Sequence, residues 1–158
     1  MHEVSVVEVP AQLVIGRQKR GRYEEIGSAI GTLVQYGLSH GAEFTGGPIA
    51  LMHEIGREAA VKADQEGNAV IDVAFPVARE VESSGEIRCY ELPGGQMAKV
   101  VHKGPYDACE PAYDALYAWV VDHGYMISDP TREVYLNDPR EVPPEEILTE
   151  IYAPIVRA

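Results

Sequence analysis

An acidic residue interrupts the last apolar stretch of the chain, LTEIYAPI at residues 148–155. The stretch is typical of a β-strand, and strand interiors are depleted in acidic residues. Side chains alternate along a strand, so Glu150 and Tyr152 share a face, while Ile151 and Ile155 belong to the opposite, core-facing side. A carboxylate facing open water needs no explanation. One that faces a cleft indicates a ligand.

Composition favours a cationic ligand and disfavours several other partners. The 158 residues carry a formal net charge of −12, which argues against nucleic acid and anionic membranes because both require a basic surface. No apolar run approaches the ~18 residues of a membrane span, and the first residues do not resemble a signal peptide. Cys89 and Cys109 have no histidine or cysteine at metal-ligand spacing. We therefore expect reduced thiols, no metal, no cofactor and a cytoplasmic protein.

The chain contains an internal repeat. Residues from Val7 align without a gap with residues from Tyr90, and matched pairs include Pro10 with Pro93. After a shift of five residues, VIDVAFPV from residue 70 falls on LTEIYAPI, so that Asp72 coincides with Glu150. The alternative explanation for these matches is the general similarity of any two strand–helix–strand segments. We interpret the pattern as one domain over residues 1–158, built from halves at about 4–78 and 86–157.

Each half is predicted to form a strand, a helix and two further strands. Apolar residues at three-and-four spacing predict amphipathic helices that lie on a sheet. Asp107 as an N-cap and Pro111 in the first turn are two possible starts for the second helix, while Gly21 and Gly104 suit turns with unusual backbone angles. The expected fold class is α+β: a pseudo-two-fold duplication of a β-α-β-β unit, with an antiparallel sheet, two main helices and a central ligand cleft.

At this point the sequence resembles a known family. The segments that carry the resemblance are HKGPY, AYDALYAWVVDHGY, EVYLNDP and PEEILTEIYAPI, with weaker matches at VEVPAQLVIG and VIDVAFPV. They are similar to the GyrI-like small-molecule-binding domain, also called the effector-binding domain, which occurs attached to AraC- and MerR-type regulators and as free-standing proteins. The resemblance implies a cleft between two units, with a glutamate on the last strand and aromatic side chains around it.

The site residues follow from that resemblance and from the repeat. The resemblance assigns Glu150, Tyr135 and Tyr152 to the site. Two aromatic residues of the second predicted helix could line the cleft or lie wholly in the core, and the repeat adds two residues of the first half as further candidates. These four additional candidates are Trp119, Tyr113, Asp72 and Met52.

The resemblance also implies alternative functions. The main expectation is a stand-alone protein that binds hydrophobic, planar and often cationic molecules with broad selectivity. Some family members resemble hydrolases of cyclopropane-containing toxins, in which case Glu150 would activate water and Tyr135 or Tyr152 would donate a proton. A gyrase-like or regulator protein is the third possible partner. We expect no DNA-binding module and no direct contact with nucleic acid.

A short basic cluster has no place in this scheme. Arg17, Lys19, Arg20 and Arg22 lie within six residues of an otherwise acidic chain. As a strand end and turn, the cluster is typical of a solvated surface. It could instead contact an acidic partner or phosphate, or pair with Glu24 and Glu25.

Overall fold

The computed structural model describes residues 2–158 and divides into two compact units. One unit combines the start of the chain, through Val9, with Gly95–Ala158, and the other is Pro10–Gly94. The strands are β1 (Ser5–Val9), β2 (Gln12–Gly21), β3 (Ile49–Met52), β4 (Ala69–Pro76), β5 (Arg88–Leu92), β6 (Gly95–Lys103), β7 (Tyr125–Ile127), β8 (Thr131–Tyr135) and β9 (Leu148–Arg157). The α-helices are α1 (Ile26–Ser39), α2 (Arg57–Glu66) and α3 (Glu110–Asp122).

The Pro10–Gly94 unit packs α1 against an antiparallel sheet of order β3-β4-β2-β5. Its core contains Leu33 from the helix and Ile15, Ile71 and Val73 from the strands, all fully buried. These strand residues occupy alternate positions, as expected for a sheet with one face on the core. Helix α2 is inserted between β3 and β4 and was not expected from the sequence.

The second unit repeats this arrangement. Its sheet has the order β1-β6-β9-β8, with β7 also paired to β9, and all pairs are antiparallel. Helix α3 supplies Leu116 and Val120 to a core that also holds Val100 and Ile151. In each unit the last main strand, β4 or β9, lies between the other two strands of its repeat. The structure thus confirms the α+β class and the β-α-β-β pattern of each half.

The compact units differ from the sequence repeats in the placement of the first strand of each repeat. Strand β1 precedes β2 in the chain but pairs with β6, over Ser5 to Val9. Likewise, β5 precedes β6 but pairs with β2, over Arg88 to Leu92. The first strand of each repeat therefore completes the sheet that contains the helix of the other repeat.

The turn before each helix departs partly from the sequence-based expectations. Helix α3 begins at Glu110 with Pro111 in its first turn, so Pro111 marks the helix start and Asp107 lies in a preceding 3-10 turn. Gly104 has the expected positive φ of 134°. Gly21 does not. A Cβ at Gly21 would meet only the flexible end of the Glu25 side chain, which can move away, so neither backbone angle nor close approach requires this glycine.

No α-helix within residues 2–158 has the length and apolar character needed to cross a bilayer.

Candidate functional site

A partly buried glutamate on β8 accepts hydrogen bonds from two tyrosines. Glu133 is opposite Ile151 of β9, whose side chain packs in the core beneath α3, so Glu133 lies on the helix-covered face of its sheet. Its Oε1 accepts a hydrogen bond from the Tyr135 hydroxyl at 2.8 Å. Its Oε2 accepts one from the Tyr113 hydroxyl. We call Glu133, Tyr113 and Tyr135 the carboxylate cluster.

Burial governs the electrostatics of the carboxylate cluster. Burial raises the pKa of Glu133, and the two tyrosine hydrogen bonds and the nearby His102 offset only part of this rise. Burial and the negative charge of Glu133 raise the pKa values of Tyr113 and Tyr135 well above the ordinary value of 10. Both phenols therefore stay protonated at neutral pH. The cluster presents one carboxylate whose two oxygen atoms are held by fixed donors.

The turn between β6 and α3 positions the aromatic side of the cluster. Buried His102 has its Nε2 2.7 Å from the Pro105 carbonyl oxygen, and therefore donates its proton there. This bond holds the turn from which Tyr106 extends, and the Tyr106 ring meets Tyr135 edge-on with centroids 5.3 Å apart. Cys109 lies at the end of the same turn. Burial and Glu133 raise its thiol pKa to about 12, so this cysteine is not a thiolate nucleophile.

The YLNDP segment closes the loop between β8 and β9. Asn137 accepts a hydrogen bond from the Leu148 backbone N–H and donates one to the Glu146 carbonyl oxygen, both at 3.0 Å. Asp138 binds Arg140 with both carboxylate oxygen atoms, which lowers the Asp138 pKa to about 2. The two Asn137 contacts tie the end of β8 to the start of β9, which is the strand paired with Glu133.

Glu150 and Tyr152, predicted from the last strand, lie on the opposite face of that sheet. Glu150 is opposite Val101 and Val134, one position away from the core-facing Ile151. Its Oε2 lies 2.7 Å from Nζ of Lys99, and its Oε1 accepts the Tyr152 hydroxyl hydrogen bond at 2.9 Å. Burial and this bond raise the Tyr152 pKa. Glu150 thus has a counter-ion from its own unit.

The remaining candidates have different surroundings. Trp119 stacks on His123, with ring centroids 4.1 Å apart, at the end of α3 away from Tyr113. Met52 is buried on β3. Asp72 has its Oδ2 2.8 Å from Nε2 of His53. Of the seven predicted residues, Tyr113 and Tyr135 come together around Glu133, and Glu150 and Tyr152 come together around Lys99.

Glu133 was missed by sequence reasoning, although two signals were present. It lies two residues before Tyr135 in EVYLNDP, and this spacing places both side chains on one strand face. Its repeat counterpart is Ala50, so an acid stands where the other half has a small apolar residue. The spacing places Glu133 beside Tyr135, and the repeat shows that the fold accepts an apolar residue at its position.

Comparison with known families decides the classification. The model of the GyrI-like small-molecule-binding domain matches residues 2–156. The chain belongs to this family. Among solved structures, this GyrI-like domain is similar to the EcmrR C-terminal domain, with a TM-score of 0.88 and 23% identity over 100% of this chain and 99% of that one. It spans 58% of the longer EcmrR chain in a complex with DNA.

Two further structural relatives share the fold at lower identity. A hydrolase from Listeria innocua is 14% identical with a TM-score of 0.69, over 98% of this chain and 92% of that one. SAV2435, solved bound to tetraphenylphosphonium, is 12% identical with a TM-score of 0.60, over 98% and 94% of the two chains. No curated protein matches the chain. Family membership makes this a small-molecule-binding domain, and these likenesses establish its fold.

Proposed function

We propose that this GyrI-like domain binds hydrophobic aromatic cations, flat or bulky, through Glu133. The supporting observation is the contrast between two glutamates. Within residues 2–158, Glu133 forms no ion pair with lysine or arginine, whereas Glu150 is paired with Lys99 at 2.7 Å. A buried carboxylate without a cationic side chain is costly. A bound cation supplies the missing charge.

The aromatic groups around Glu133 suit a flat or bulky aromatic ligand. Tyr113, Tyr135 and Tyr106 lie close to the carboxylate, and aromatic faces attract cations. The hydroxyls of Tyr113 and Tyr135 already donate to Glu133, so few hydrogen bonds remain for a ligand. Selection then depends mainly on charge and shape, and we expect broad selectivity.

Two ions of equal shape and opposite charge test the proposal. Tetraphenylphosphonium and tetraphenylborate both place four phenyl rings around one central atom, and isothermal titration measures the affinity for each. We expect measurable binding of the phosphonium and at least tenfold weaker binding of the borate. Equal affinities would mean that apolar contact alone drives binding, and the proposed role of the carboxylate would be wrong.

Matched tyrosine variants test the assignment of the site. Tyr113→Phe removes one donor to Glu133 and should weaken phosphonium binding at neutral pH, because the carboxylate becomes harder to ionise. Tyr125→Phe is the control, since Tyr125 stacks on Trp119 instead. Equal losses in both variants would place the ligand elsewhere. Glu150 with Tyr152 remains the alternative site, to be examined with the same two ions.

Hydrolysis is the second candidate function. One specific observation favours it: Glu133 has a raised pKa and two protonated phenols within hydrogen-bond reach, which is a possible base with possible proton donors. The fold is shared with a protein described as a hydrolase. Incubation with a cyclopropane-bearing electrophile, followed by mass spectrometry, distinguishes the two. A product one water heavier, formed repeatedly per protein molecule, supports hydrolysis, and recovery of intact compound supports binding.

A further inference from the structure

One edge of β2 is uncovered along half its length. Strand β5 pairs with β2 only from Gln12 to Gly16, whereas β4 pairs with it from Val14 to Gly21. Residues 17–21 therefore have a neighbouring strand on one side only. An uncovered edge presents backbone N–H and C=O groups that can pair with another extended chain.

This edge carries the basic cluster that the ligand site does not use. Arg17 pairs with Glu86 at 2.8 Å, and Lys19 pairs with Glu25 at 3.0 Å. Arg20 is exposed, and its guanidinium group has no ion-pair partner within residues 2–158. Arg88 is also exposed and has no ion-pair partner within residues 2–158. It lies at the start of β5, where the pairing of β5 with β2 ends.

A cavity adjoins the uncovered edge at the start of β5. Its volume is about 550 Å³, and its lining includes the cations Arg17 and Arg88 together with the carboxylates Asp72 and Glu86, of which Glu86 is paired with Arg17 and Asp72 lies 2.8 Å from His53. A second cavity of about 460 Å³ shares Arg88 and Tyr90 with it and continues along the turn before β5. A chain approaching the edge thus has room beside it, and Arg88 lines both cavities.

The two unpaired arginines lie on one face of this edge. Arg88 is opposite Gly16, and Arg20 follows Gly16 by four residues along β2, so both side chains point the same way. Four residues of a strand span about 13 Å. An added strand with acidic side chains at every second position would meet both arginines.

We propose that the uncovered edge of β2 docks an extended acidic peptide segment of a partner protein as an additional strand. Backbone pairing along residues 17–21 gives the geometry, and carboxylates on Arg20 and Arg88 give the selectivity. The chain carries a net charge of −12, which repels an acidic segment at long range, so the attraction has to come from the local guanidinium groups of Arg20 and Arg88. Nucleic acid is less suitable, because five residues of strand edge do not form an extended basic face.

A labelled peptide tests the proposal without reference to the ligand site. Fluorescein-labelled acetyl-(Glu-Thr)4-amide is titrated with the full chain at low ionic strength, and fluorescence anisotropy reports binding. The comparison peptides are (Lys-Thr)4 and an (Glu-Thr)4 version N-methylated at alternate residues, which keeps its charge but loses backbone donors. We expect only the unmodified acidic peptide to bind well, with amide shifts at residues 17–21 in nuclear magnetic resonance spectra.

Charge variants assign the contact to the two arginines. Exposed ion pairs are weak, so Arg20→Gln with Arg88→Gln should lower peptide affinity about tenfold. The control is Arg79→Gln with Lys103→Gln, which removes two other exposed cations and should change affinity less than twofold. Phosphonium binding should be the same in both double variants, so this proposal and the ligand site succeed or fail separately.

Three results would overturn the proposal. Equal binding of the N-methylated peptide would show charge attraction without strand addition. Equal competition by an eight-nucleotide single-stranded DNA would show a general anion surface. No binding of any peptide would mean that the basic residues only protect the edge from pairing with other chains, a common role of charge at strand edges.

Discussion

Replacement of Glu133 by glutamine should weaken phosphonium binding far more than the same change at Glu150. A central charge about 6 Å from the Glu133 carboxylate, at an effective dielectric constant of about 20, is stabilised by about 3 kcal/mol. Loss of that energy would weaken the affinity for the cation about a hundredfold. At Glu150 the ammonium of Lys99 lies 2.7 Å away, so the pair has no net charge and Glu150→Gln should cost less than threefold.

Thermal unfolding separates this loss from damage to the fold. The folded-state pKa of Glu133 is raised, so above that pKa ionisation costs stability and removal of the charge at pH 7 should not destabilise the protein. The glutamine side chain can still accept a hydrogen bond from Tyr113 or Tyr135. We therefore expect Glu133→Gln to melt at the same or a higher temperature than the natural protein at pH 7, and with no difference below pH 4.

Titration calorimetry at pH 7 supplies the affinities of both variants. A hundredfold loss at Glu133 with a stable fold supports the proposed site. If Glu150→Gln loses affinity and Glu133→Gln does not, the ligand contacts the opposite face of the sheet, and the contrast between paired and unpaired carboxylates is not what selects cations.

Three further predictions concern pH, reactivity and packing. The affinity for the phosphonium should rise with pH as Glu133 ionises, because only the ionised carboxylate attracts the cation, and the pKa of Glu133 lies above the ordinary 4.5. Titrations from pH 4 to 8 should show this rise, and Glu133→Gln should abolish it. Cys109, with a pKa of about 12, should react with iodoacetamide at pH 8 about a thousandfold more slowly in the folded protein than in urea, as measured by mass spectrometry. Gly16→Ala should lower the free energy of unfolding by about 1–3 kcal/mol, because the added Cβ would lie 2.8 Å from a backbone oxygen. Gly31→Ala should raise it by about 0.5–1 kcal/mol, because Gly31 has open space on the exposed side of α1. Urea unfolding measures both changes.

The fold was largely predictable because its signals are local and repeated. Apolar spacing located α1 and α3, and the repeat located the strands around them. The inserted helix α2 was missed because it has no counterpart in the other half and buries little of its surface, with Ala63 its only buried residue. Its position is held by contacts distant in sequence, including a hydrogen bond from the Tyr23 backbone N–H to Asp64.

The candidate site was harder to predict because Glu133 lies on the helix-covered face of its sheet, where apolar side chains are expected. Glu150 and Tyr152 were correctly placed on one face of β9 and Ile151 on the other. The strand β8 has only five residues, and two consecutive ones, Arg132 and Glu133, are charged, so it shows no apolar alternation. The pairing of Lys99 with Glu150 depends on the register of β6 against β9, which local sequence does not determine.

The two halves show how a duplicated fold can acquire one polar site. The repeat counterparts of Glu133, Tyr113 and Tyr135 are Ala50, Ile30 and Met52, all apolar. The fold therefore tolerates apolar residues at these positions, and the carboxylate cluster adds a desolvation cost that the other half avoids. We infer that this partly buried charge, which the architecture does not need, serves the proposed ligand. Under the proposed function we therefore expect one cation per chain, because the repeat counterpart of Glu133 in the other half is Ala50.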